Sequence, residues 1–322
     1  MATFTHLSLS DAQRLAAAHA LPAVEAVVPV SAGTVNSNYF LETSRGRFFV
    51  RLYEQQDVEG VAYEWSLLSH LGAQGVTIPA RVSGPAPGEV RVLGRPVAVF
   101  AEVKGEDLCQ ARVDAARVSR VGSALGEAHR AGLNFGTVRE GRFRLEDVAR
   151  LLEQAEAAGR SELSAPIARL RTVHAEVSAA LSGPLAELPR GVIHGDLFRD
   201  NVLWQGSEIV ALLDWESASH GVLAYDLAVT LLAWCCGDQL DFGLGRALVD
   251  GYRAQRELSA LEWQGLWWTM RLGCLRFATT RMIDVYLKGT YPAGYKDFRR
   301  FLQRLDVVEV LSSAQLAQAL GR

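Results

Sequence analysis

Residues 191–204 read GVIHGDLFRDNVLW, and set His194, Asp196 and Asn201 among hydrophobic neighbours. A further strand pattern, Glu208 to Leu213, ends at Asp214-Trp215. The apolar residues before His194 and the run Val202-Leu203-Trp204 read as strands entering and leaving a short polar loop, where rigid elements usually present chemistry. An aspartate, an asparagine five positions later, a hairpin and then an aspartate at a strand end suit transfer of a phosphoryl group to a hydroxyl. Asp196 can accept the hydroxyl proton and aim the oxygen, while Asn201 and Asp214 offer hard oxygen ligands to Mg²⁺ bridging phosphates. The plainer reading is that both aspartates cap turns and Asn201 closes an Asx-turn. Three such groups at these offsets around one hairpin are harder to obtain by chance than any one of them.

The elements that must hold this loop follow from periodicity and turn chemistry. Ser8-Leu9-Ser10-Asp11 reads as a capping box before a helix of about three turns, and Val24 to Val30 reads as a strand. NYFLET and RFFVRLY, joined by Ser44-Arg45-Gly46, form an expected hairpin rising out of SAGTVNSN. Val61, Trp65, Leu68 and Leu71 recur at helical spacing, and after the turn at Gly84 to Gly88 the segments EVRVL and PVAVFAEV complete a mostly antiparallel sheet. From Val113 onward the pattern is helical, apart from Val192 to Trp215. The change near Lys104-Gly105 predicts an α+β chain of two lobes, a sheet lobe over residues 1–103 and a larger, mainly helical lobe over 104–322.

His194-Gly195-Asp196 with Asn201 has the form HGD-x-x-x-x-N, and here the chain resembles the aminoglycoside phosphotransferase and choline kinase family, which has a protein-kinase-like bilobal fold. LAYDLAVTLLAW resembles that family's helix whose aspartate supports the catalytic loop, which implies this role for Asp226, beside His194. More narrowly, AGTVNSNYFLETSRGRFFVRLYE, LPRGVIHGDLFRDNV and AYDLAVTLLAWC together are similar to the bacterial homoserine kinases of this fold. The resemblance implies ATP and Mg²⁺ as cofactors, Asp196 as the catalytic group, and Asn201 and Asp214 as metal ligands. It also implies that Ser31 to Asn38 covers the nucleotide, with Gly33, Asn36, Ser37 and Asn38 offering donors to phosphates.

Arg51 occupies the place of the family's strand lysine, a departure that keeps the charge but widens it into a planar fork. Glu64, with Glu59 as the alternative, is the implied partner of Arg51 on the following helix. Backbone groups of Glu102 to Val103, at the implied hinge, would meet the adenine edge, with Phe100 and Val50 nearby. The covering loop also departs from the kinase pattern in lacking repeated glycines. A plain hairpin turn, a surface arginine alternating with Val50 and Leu52, and a solvated helix glutamate remain open readings of these residues.

For the acceptor, homoserine carries a carboxylate, an ammonium and a hydroxyl, so its site needs a buried cation near Asp196. In WTMRLGCLRFATTRMIDVYL, Arg276 lies between Leu275 and Phe277, where a free surface charge is not expected, and Arg276 with Arg281 is the candidate receptor of the carboxylate. Pairing with the protein's own aspartates is the alternative. An aminoglycoside would instead want a broad acidic surface, and choline, methylthioribose or a protein serine remain possible acceptors. A non-catalytic, nucleotide-binding scaffold is the reading from another class, and Arg51 is its only support.

Composition narrows the field. With 49% hydrophobic and 21% charged residues over 322 positions, neither disorder nor a fibrous class is expected. A net charge of −3 gives no electrostatic case for nucleic acid or an anionic membrane. Four cysteines without C-x-x-C spacing make poor material for a zinc site or a disulfide framework, and the start of the chain has no secretory pattern. The longest apolar run, Leu227 to Cys236, is too short to span a bilayer, so a cytoplasmic protein is expected.

Overall fold

The computed structural model describes residues 5–30, 35–289 and 296–322. Gly33 therefore lies outside the described residues. The chain forms two compact units, one of Met1–Glu106, Phe135–Thr137 and Leu203–Glu216, the other of Asp107–Asn134, Val138–Val202 and Ser217–Arg322.

In the first unit, α1 (Leu9–Ala18) starts at Ser8, whose side chain accepts from the Asp11 amide at 3.1 Å. Then come β1 (Val24–Val30), β2 (Ser37–Thr43), β3 (Gly46–Leu52), α2 (Val58–Ala73), β4 (Arg91–Val92) and β5 (Arg95–Ala101). The strands make one antiparallel sheet in the order β1-β2-β3-β5-β4. Side chains alternate between its faces. Val50, Leu52, Val97 and Val99 pack with Ala12 and Leu15 of α1 into a core on one face. Phe49 and Arg51 belong to the other face, opposite Phe100 and Ala98 in register. Val50 and Phe100 therefore do not share a face, which corrects the expectation that both lie near one ligand; a single step along a strand reverses the side.

The second unit opens with α3 (Ala115–Gly132), capped by Asp114, and continues through α4 (Leu145–Ala157), α5 (Ser164–Ser182) and β6 (Arg190–Ile193). The chain re-enters the first unit through the hairpin of β7 (Val202–Gln205) and β8 (Glu208–Leu212). It then pairs β9 (Ser219–Val222) antiparallel to β6. The rest is helical: α6 (Leu223–Trp234), α7 (Phe242–Arg253), α8 (Ala260–Arg281), α9 (Arg299–Glu309) and α10 (Ser313–Ala319). A capping box of Ser259 and Glu262 starts α8, and α6 is buried along nearly its whole length. Among the described residues no helix is long and apolar enough to cross a membrane.

Helices α3 and α7 approach until their backbones touch. A Cβ added at Gly122 would sit 2.0 Å from the Leu248 carbonyl oxygen, and one at Gly251 would sit 1.9 Å from that of Ser119. Backbone cannot swing aside as a side chain does, so Gly251→Ala is expected to force the helices apart. The expected cost is about 3 kcal/mol, seen as a lower urea midpoint at an unchanged slope.

Candidate active site

The polar loop lies in the second unit, and its backbone explains the residues in it. Gly195 has φ +74°, a left-handed conformation that glycine adopts without a Cβ penalty. The turn it makes is held at both ends. The Asp196 amide donates to His194 Nδ1 at 3.3 Å, and Asn201 Nδ2 donates to the Asp196 carbonyl at 2.8 Å. Asn201 thus spends its amide nitrogen inside the loop and keeps Oδ1 as an acceptor, the half of the amide that suits a hard cation. The Asp196 side chain remains 31% exposed and accessible to a ligand.

Asp226, at the start of α6, secures the loop from below. It is fully buried, and its two oxygens accept from the His194 and Gly195 amides at 2.6 and 2.7 Å. Its Oδ2 also meets His129 Nε2 at 3.1 Å, and His129 Nδ1 meets the Tyr252 hydroxyl at 2.8 Å. Burial alone would raise the Asp226 carboxyl, but the hydrogen bond and charge of His129, with His194, hold it below the usual range. A buried acid satisfied on both oxygens is a rigid anchor rather than a reactant.

Arg276 of α8 meets the same loop from another side. Its Nη1 donates to the Gly195 carbonyl at 2.6 Å and lies 3.6 Å from Asp196 Oδ1. Its guanidinium is packed over the rings of Phe143 and Phe277, at 4.3 and 4.0 Å. Arg281, one and a half turns further, lies over Phe301 at 4.5 Å. Burial and the charge of Arg304 push Arg281 down to about 10, against the opposing pull of Asp196.

The remaining candidates belong to the first unit. Arg51 Nη1 pairs with Asp214 Oδ1 at 2.9 Å and lies 3.7 Å from Glu64 Oε1. Glu64 is buried to 1% exposure on α2, whereas Glu59 is exposed. Burial would lower Arg51, but Asp214 and Glu64 raise it above the ordinary arginine value. Burial raises Glu64 to about 7, with Glu216 and Asp214 adding to the effect of burial and Arg51 opposing it. Asp214 itself has φ +62°, an uncommon conformation that aspartate tolerates better than most residues.

Glu216 escaped the sequence reading. It is buried and accepts from Asn36 Nδ2 at 2.6 Å, and its only signal was a second acid two places after Asp214. Asn36 Oδ1 accepts from the Glu54 amide at 3.2 Å, and the Ser37 hydroxyl donates to Glu54 Oε1 at 2.6 Å. These two side chains therefore tie residues 36 and 37 to Glu54 and Glu216, while Asn38 keeps a buried Oδ1 without a partner among the described residues. Glu102 pairs with Arg47 at 3.1 Å, just beyond β5 with Val103. Asp214 sets a carboxylate beside the Arg51 guanidinium, and carboxylate oxygens are donors of the type a hard divalent cation takes. No group of three or more acidic, His or Cys side chains is arranged to cage a metal among the described residues. Mg²⁺ is commonly held by one or two carboxylates plus substrate phosphates, so the donor types present fit that ion.

A sequence model described as the phosphotransferase enzyme family matches residues 26–262. A curated relative from Methylocella silvestris named homoserine kinase is 36% identical, with 100% of this chain and 97% of the relative covered. Another of that name, from Beijerinckia indica subsp. indica, is 36% identical with 88% of each covered. Among solved structures, amicoumacin kinase in complex with AMP-PNP, Ca²⁺ and Ami aligns with a TM-score of 0.69 at 14% identity, covering 89% of each chain. Spectinomycin phosphotransferase in complex with ADP aligns at 0.65 and 13% identity, over 93% of this chain and 94% of that one. Likeness at such low identity speaks for the fold, and the α+β, protein-kinase-like fold expected from the sequence is the one found.

Proposed function

The chain belongs to the phosphotransferase enzyme family, and on that premise we propose that it transfers the terminal phosphoryl group of ATP to the hydroxyl of L-homoserine. The product is O-phospho-L-homoserine, a step toward threonine, made in the cytoplasm. The observation that carries the choice of acceptor is the charge around Asp196. Arg276 lies at 3.6 Å and Arg281 is within electrostatic reach, surroundings that suit a carboxylate and repel a polycation. The names of the relatives at 36% identity support the same acceptor.

Asp196 takes the hydroxyl proton as the acceptor oxygen bonds to phosphorus and the bond to the ADP oxygen breaks. Its loop, fixed by Gly195, Asn201 and Asp226, supplies orientation rather than covalent chemistry, in keeping with a loose transition state. Arg51, held by Glu64, presents a cation to the nucleotide phosphates. Asn201 Oδ1 and Asp214 would hold Mg²⁺, which would supply neutralisation of phosphate charge. Phe100 and the backbone of Glu102 and Val103 line the nucleotide base, and Asn38 belongs to the segment that covers the nucleotide.

Coupled ADP release from the purified protein with MgATP tests this across L-homoserine, choline, methylthioribose, an aminoglycoside and a serine-rich peptide. Turnover is expected with L-homoserine. Turnover with another acceptor alone would replace the substrate and keep the chemistry. Nucleotide binding without ADP release from any acceptor would favour a scaffold.

A further inference from the structure

Charge pairing in the second unit is uneven. Arg271, buried in α8, meets Glu309 at 2.9 Å and also Glu176. Arg256 meets Glu262 at 2.7 Å, and Arg169 meets Asp306 and Glu309 at 2.6 and 2.9 Å. Arg281 and Arg304 differ. Both guanidinium groups lie over one ring, that of Phe301, at 4.5 and 4.7 Å, and neither forms an ion pair or hydrogen bond among the described residues. Phe301 stacks on Phe277 at 4.9 Å, and Phe277 in turn touches Phe198 of the polar loop at 5.0 Å and Arg276 at 4.0 Å. An aromatic bridge therefore joins this pair of cations to the loop that carries Asp196.

We infer that Arg281 and Arg304 form the receptor for the α-carboxylate of the acceptor, with Phe301 as their shared platform, and that Arg276 is a positioning residue of the catalytic loop. The inference deepens the amino-acid kinase reading above and rests on it. Two like charges half-buried on one ring repel each other, and among the described residues no carboxylate pairs with either. Burial pushes both guanidinium groups below the ordinary arginine value, and Arg199, Arg276 and Arg300 add positive charge nearby. Both stay cationic at neutral pH, so an incoming carboxylate gains two charge-assisted partners and relieves their repulsion. Arg276 is a poorer receptor. Its Nη1 already serves the Gly195 carbonyl, and two rings pack against it.

Three ligands separate the roles. L-Homoserine has every group, L-2-aminobutyrate lacks the hydroxyl, and 3-aminopropan-1-ol lacks the carboxylate. Arg281→Met and Arg304→Met are each expected to raise KM for L-homoserine about tenfold or more with little change in kcat or in KM for ATP. The same variants should weaken calorimetric binding of L-2-aminobutyrate to a similar degree, leave turnover of 3-aminopropan-1-ol unchanged and raise Tm, because each removes one of two repelling charges. Arg276→Met should instead lower kcat for both hydroxyl acceptors. An unchanged KM for L-homoserine, equal losses with and without the carboxylate, or a lower Tm in Arg281→Met and Arg304→Met would overturn the receptor assignment. Should the wild type bind L-2-aminobutyrate through Arg304 yet never phosphorylate L-homoserine, the receptor survives and the proposed reaction falls.

Discussion

Asp196→Asn is expected to lower kcat about 10²–10⁴-fold while nucleotide affinity stays within a few-fold of wild type. The substitution is nearly isosteric, and the backbone hydrogen bonds of residue 196 do not involve the carboxylate. Among the contacts that place residue 196 are its amide to His194 and its carbonyl from Asn201 and the Phe198 amide, all of which asparagine keeps. What disappears is the anionic oxygen that takes a proton and turns the acceptor hydroxyl toward phosphorus. Single-turnover ADP formation, paired with calorimetric titration of the nucleotide, separates the two quantities. Activity within tenfold of wild type would remove Asp196 from the chemistry and leave the loop as a structural turn.

Asp226→Asn should be the most destabilising change in the second unit, by about 3–5 kcal/mol. A carboxamide offers one accepting oxygen where three buried donors, the His194 and Gly195 amides and His129 Nε2, now share two. Its NH₂ would face a donor in a dry interior. The Asp226 carboxyl is held below its ordinary value, so its stabilising effect is present above the unfolded value, near about 4. It is lost only as pH falls through the lower folded value. The gap in urea midpoint between wild type and variant should therefore be full at pH 7 and narrow only in strong acid. A gap that vanishes already near pH 6 would show that another group, not this carboxylate, carries the stability.

Much of the second unit's loop was legible because its information is local. Gly195 needs its positive φ, Asn201 reaches back five residues to the Asp196 carbonyl, and α6 begins with the acid that ties them down. The sheet of the first unit was legible for the same reason, since alternation and turn residues act over a few positions. Pairing across elements was not. Helical spacing left Glu59 and Glu64 both open as partners of Arg51, and only burial on the inner side of α2 separates them. Glu216 and Arg304 gave almost no signal, because an acid after a strand and an arginine on a surface-like helix are ordinary until folding places them. The lobe boundary was read from one change of composition near Lys104-Gly105, whereas the first compact unit also takes in 135–137 and 203–216.

Arg276 and Arg281 ride on a single helix, five residues and so about 7.5 Å of rise apart. Arg276 clamps the loop that carries Asp196. With Arg281 gripping the carboxylate, α8 becomes a length gauge for the acceptor. Its hydrogen-bonded backbone does not stretch, so serine, one methylene too short, and 5-hydroxynorvaline, one too long, would each be anchored with the hydroxyl out of line. Selection among amino alcohols then rests on the stiffness of a rod rather than on the shape of a pocket wall.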